Sequence, residues 1–67
     1  MAETKAIRLQ GILADYATTL DESNRVAEII RQLRKQNTSE HNLERNITAM
    51  ILVGLAYGNW PWNGYEK

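Results

Sequence analysis

The sequence predicts an all-α miniature domain, a helical hairpin followed by an apolar third helix, assembled as a homodimer. Three observations carry the helical part. Apolar residues recur three and four positions apart, with few strand-like alternations. The 60 residues before the single proline, Pro61, hold only Gly11, Gly54 and Gly58 as backbone breakers. Capping signals fall at Thr19-Leu20-Asp21-Glu22 and at Asn37-Thr38-Ser39. With 67 residues the chain is one domain, 1–67, and a domain of this size buries only about 60% of the surface of its unfolded chain. The absence of cysteine removes disulfides and thiolate metal sites as a remedy, so self-association is the expected one.

The first helix is predicted over 4–18, where Leu9, Ile12, Leu13, Tyr16 and Leu20 lie along one stripe and Ile7 falls on the opposite, exposed side. Thr19 and Glu22 then match a capping box, which starts a second helix over 20–36. One long bent helix over 4–36 is the alternative. Val26, Ile29, Ile30 and Leu33 form the inner stripe of the second helix, with Glu28, Arg31, Arg34 and Lys35 on its reverse. Asp21 with Arg25 and Glu28 with Arg31 are spaced as helical charge pairs, and Arg34 and Lys35 suit the negative pole of the helix dipole.

The third helix is predicted over 40–57, capped by Asn37, Thr38 or Ser39, with Glu40 and Glu44 in its first turns. Leu43, Ile47, Met50 and Ile51 begin an ordinary stripe. From Ala49 to Tyr57, however, apolar side chains point in every direction at about 100° per residue, so this half has no polar face. Two companion helices shelter only part of such a surface. Gly54 reads as a site of close packing and Gly58 as a left-handed terminator. Residues 58–67 form an aromatic tail, expected as a short extended strand or turn because Trp60 precedes proline. Burial of Trp60 and Trp62, by fold-back onto the third helix or in a dimer, is favoured over their display, since each buries on the order of 200 Å².

These features predict a small non-enzymatic regulatory or adaptor protein that binds another protein. The expected contact residues are Tyr57, Trp60, Trp62 and Tyr65, and the dimer interface or core is expected at Met50, Ile51, Leu52, Val53 and Leu55. The competing expectation is a dimeric nucleic-acid-binding regulator that uses Arg25, Arg31, Arg34 and Lys35, since Ser23 to Gln36 holds four basic residues against one acid, Glu28, a net of +3. Leu13-Ala14-Asp15-Tyr16-Ala17 and the helix after it resemble a helix-turn-helix only in part. The connection, Thr18 to Ser23, is too long, and Asp21 and Glu22 open the helix that would face phosphate.

Other classes fare worse. Eight basic and eight acidic residues cancel, so no global field draws the chain to nucleic acid or an anionic membrane. Residues 46–65 are uncharged and end in tryptophan and tyrosine, but the strongly apolar part, Ile47 to Tyr57, spans about 16 Å against roughly 30 Å of hydrocarbon. His41 and Glu44 share a helix face and make only an incomplete metal site, so no metal, no cofactor and no small-molecule substrate are expected. The N-terminus, MAETKAIRLQ, has no apolar signal stretch, which predicts a complete cytoplasmic chain in which the sequon Asn46-Ile47-Thr48 is unused. Size, lack of cysteine and an apolar C-terminal helix fit the type of small helical regulator carried by phages, plasmids and bacteria.

Overall fold

A computed structural model of the protein describes residues 4–36 and 39–65. Thr4 opens the first helix, α1 (Lys5–Asp15), with an extended backbone and a side-chain oxygen that accepts from the Ile7 N–H at 3.1 Å. The helix stops three residues short of the expected bound. Tyr16 N–H donates to the Leu13 carbonyl and Ala17 N–H to that of Ala14, both at 3.1 Å, which tightens the last turn and ends it. Thr18 then belongs to the next helix, because its N–H and hydroxyl both donate to Glu22 Oε1, at 2.9 and 3.1 Å.

α2 (Leu20–Gln36) begins as the capping box requires, with Glu22 N–H donating to Thr19 Oγ1 at 3.0 Å. The reciprocal reach of Glu22 lands on Thr18, one residue earlier than the simplest form of the motif. α1 and α2 are therefore two helices in a hairpin, and the single bent helix over 4–36 is ruled out. α3 (Glu40–Tyr57) is capped by Ser39, whose hydroxyl accepts from Asn42 N–H at 3.3 Å. Asn37 and Thr38, the other cap candidates, lie outside the described residues.

α1 and α3 run in the same direction, and α2, which joins them in the chain, packs against α1 and the tail. Thr4 Oγ1 donates to Glu40 at 2.9 Å where α1 and α3 begin, and Tyr16 meets Trp60 where they end. α1 packs most extensively on α3. The core is Ala6, Leu13, Val26, Leu43, Ile47, Ile51 and Trp62, flanked by half-buried Leu9, Ile30, Leu33, Met50 and Trp60. Fully burying a leucine, isoleucine or valine stabilises by about 1.5–3 kcal/mol each, so this single cluster supplies most of what holds the helices together.

The buried stripe of α1 differs from the expected one. Ala6 and Leu13 are fully buried with Leu9 beside them, whereas Ile12, Tyr16 and Leu20 are exposed. The inward direction is turned by about 60° at 100° per residue. Ala6 is fully buried, and its small side chain adds little to a hydrophobic pattern. Ile7 is exposed, as expected. Of the two forms expected of the tail, strand or turn, Pro61–Tyr65 take the turn, as a short 3₁₀ helix. Among the described residues the chain is all-helical with no strand, and no helix is long and apolar enough to cross a membrane.

Candidate protein-binding surface

The inner face of α3 is set by Leu43, Ile47, Ile51 and Gly54, spaced four, four and three apart and all buried. This stripe satisfies the core of the subunit. The remaining apolar residues of the same helix, Ala49, Leu52, Val53, Leu55, Ala56 and Tyr57, are exposed. Leu52 keeps 60% of its surface in water, Leu55 57% and Tyr57 80%. Of the expected interface set, Ile51 therefore sits in the core, Met50 on its margin, and Leu52, Val53 and Leu55 on the outer surface.

The helix ends where a left-handed residue is required. Gly58 has φ 67° and ψ 17°, and its N–H donates to the Gly54 carbonyl at 2.8 Å. The chain then reverses, and the turn is pinned by Asn63: its backbone N–H donates to the Trp60 carbonyl and its Nδ2 to the Gly58 carbonyl, each at 3.0 Å. This brings both tryptophans onto the end of the bundle. Trp62 is only 2% exposed and plugs the core. Trp60 lies between Tyr16, with ring centroids 4.7 Å apart and 21° between planes, and Trp62, at 5.4 Å and 4°. Offset stacking of this kind adds about 0.5–1.5 kcal/mol per pair beyond area burial.

Gly54 makes the stack possible. A Cβ at that position would overlap the six-membered part of the Trp60 ring, so the close packing expected of this glycine is with the tail. Between α3 and the tail an open depression of about 250 Å³ is lined by Ala49, Met50, Val53, Asn59, Trp60 and Pro61. Tyr57 stands exposed on the same helix, one residue before Gly58. Of the four expected contact residues, the structure thus leaves Tyr57 free to touch a partner and Trp60 half-buried, and takes Trp62 into the core. The side chain of Tyr65 lies outside the described residues. Tyr16, Gly54 and Pro61 were not singled out as parts of this surface. Only long-range packing makes them so, and no local pattern marks it.

The basic side of α2 is electrically answered from within the chain. Arg25 Nε contacts Asp21 at 3.0 Å, Arg31 pairs with Glu28, and Arg34 lies 3.9 Å from Glu40 of α3. The Gln10 amide, with its oxygen toward α2, also accepts from the Arg34 guanidinium. The Gln32 amide, at 2.9 Å, and then the Arg31 and Lys35 charges hold the Glu28 carboxyl below the usual carboxylate range. Lys35 is exposed at the end of α2. His41 and Glu44 stay at the start of α3, and no group of three possible metal-ligating side chains occurs among the described residues. No polar or charged side chain is buried among them either.

No protein-family model, curated protein or solved structure matches the chain.

Proposed function

We propose that this chain is a small non-enzymatic regulatory or adaptor protein of the cytoplasm, a homodimer that binds another protein along the junction of α3 and the tail. The observation that carries the reading is that the tail closes the core and α3 still leaves Leu52, Val53, Leu55 and Tyr57 in water. Their exposed side-chain area is roughly 500 Å², as large as the largest patch on a typical monomer, and patches of that size are commonly functional. Such a face on so small a protein favours association over solvation. Val53, Pro61 and the exposed part of Trp60 line the depression beside the tail, and Tyr57 is exposed at the last residue of α3. An aromatic and apolar rim around a shallow pocket is the composition that dominates protein interfaces.

The nucleic-acid alternative has less support. Arg25, Arg31 and Arg34 each have an acidic neighbour, so phosphate would have to displace an existing ion pair at each. A chemical role has no desolvated acid, base or nucleophile to start from among the described residues.

The test is affinity capture from the source cell with the wild-type chain, with Tyr57→Asp, and with Arg31, Arg34 and Lys35 all changed to glutamate. The proposal expects one protein retained by the wild type and by the charge-reversed chain, lost with Tyr57→Asp, and insensitive to 0.5 M salt, a concentration that screens exposed charges within about 4 Å. Retention of nucleic acid, lost at that salt and with the charge reversal, would overturn it.

A further inference from the structure

We infer that a second copy of this chain covers the outer face of α3, with the two α3 helices antiparallel and the two-fold axis passing beside Leu52 and Val53. This deepens the homodimer reading above and rests on it. At 100° per residue Ala49, Leu52, Val53 and Ala56 occupy the centre of the outer face, with Leu55 toward α1 and Tyr57 toward the tail. Arg45, Ala49, Leu52 and Ala56 follow the four-three-four spacing of a helix-pairing seam. Leu52, Val53 and Leu55 expose roughly 300 Å², to which Ala49 and Ala56 add, much of the apolar share of one side of a standard interface, which buries about 800 Å² per partner.

Charge selects the direction. Arg45 is the basic residue of this face and makes no ion pair among the described residues. The last turn of α3 carries no basic residue, so the negative end of its dipole is unanswered by its own side chains. Antiparallel pairing about Leu52 and Val53 brings Arg45 level with residue 60 of the second copy, within a side chain's reach of the end of its α3. Parallel pairing would set Arg45 against Arg45 and align the two dipoles.

Shape selects the same direction. A depression of about 410 Å³ lies beside the first half of α3, lined by Lys5, Glu44, Arg45, Thr48, Ala49 and Leu52. The protruding Leu55 is in the second half, on the same flank. The antiparallel two-fold places like flank against like flank, so the second copy's Leu55 comes level with residue 50 and enters that depression. Ala49 then faces the second copy's Ala56, where two small side chains permit close approach. One face holds both projection and recess, and only reversal of the second helix joins them.

The native chain has no cysteine, so disulfide trapping reads the geometry without background. Leu52→Cys alone is expected to form a covalent dimer on mild oxidation. Ala49→Cys and Ala56→Cys are each expected to stay uncrosslinked alone, because like positions lie about 10 Å apart along the axis at 1.5 Å per residue. Mixed together, those two should crosslink to each other. Leu52→Asp should raise the dimer dissociation constant at least about a hundredfold while keeping the helical circular dichroism signal, and Arg45→Glu should raise it about tenfold. A wild-type chain that light scattering finds monomeric at 100 µM overturns the inference, as does self-crosslinking of Ala49→Cys and of Ala56→Cys, the parallel signature. Either failure is separate from that of partner capture, which is read with Tyr57→Asp.

Discussion

α2 and α3 have almost the same length, 17 and 18 residues, and each presents one narrow stripe to the same core. Their outer faces are opposites. On α2 the outward residues are charged and pair along the helix, Asp21 with Arg25 and Glu28 with Arg31, so water and neighbouring side chains complete the surface. On α3 the second half turns Leu52, Val53, Leu55, Ala56 and Tyr57 outward, although Leu43, Ile47, Ile51 and Gly54 already meet the needs of the core. Apolar content beyond what the subunit can bury is therefore the feature that distinguishes α3. On the proposed reading it serves an association that the folded subunit does not itself contain.

The tail sharpens this contrast, because its two tryptophans serve the inner face and leave the outer one alone. Trp62→Ala should have the largest effect on the fold, a loss of about 3–5 kcal/mol from truncating a buried aromatic. A chain of this length has about 3–10 kcal/mol to lose, so urea titration should find the midpoint sharply lowered and, at the low end of that range, the variant unfolded in buffer. Gly54→Ala tests the seat of the stack. Alanine is the better helix former by about 1 kcal/mol, but its Cβ would meet the Trp60 ring. The overlap wins, with a net loss of about 1–2 kcal/mol and a weakened near-ultraviolet tryptophan signal.

Outward positions of α3 should behave in the opposite way. Leu52→Ser and Tyr57→Ser should change the stability of the dilute monomer by no more than about 0.5 kcal/mol. A loss comparable to that of Trp62→Ala would mean that the outer face is part of the subunit core, and the comparison would break. The smallest effect belongs to the charged face of α2. The carboxyl of Glu28 is held below its ordinary value of 4.5, first by Gln32 and then by Arg31 and Lys35. Its contribution is thus present above the unfolded value and fades as the pH falls through the folded one. Glu28 is exposed, so Glu28→Gln should only slightly flatten the acid limb of a melting-temperature profile.

Much of this architecture is legible along the chain. The bounds of α2 and α3 follow from Thr19 with Glu22, from Ser39, and from Gly58, because caps act through hydrogen bonds within three or four residues. The exposed strip on α3 also follows from periodicity alone. The rest depends on packing between distant segments. Ala6 outranks Ile12 in burial because it sits where α1 approaches α3, and size rather than oiliness decides that position. The meeting of Tyr16, Trp60 and Gly54 joins three segments across more than 40 residues of chain, and no spacing rule reaches that far. The sequence therefore indicates surplus apolar surface on α3, and the fold shows that Tyr57 stays exposed while Trp62 is buried.

The tail closes the core with Trp62 and leaves the outer face of α3 uncovered. Trp60→Phe leaves Trp62 as the only tryptophan, so acrylamide quenching of its fluorescence reads that residue alone. The structure predicts blue-shifted emission that resists the quencher in dilute monomeric solution. Emission and quenching like those of free indole in water would show the tail undocked and contradict it.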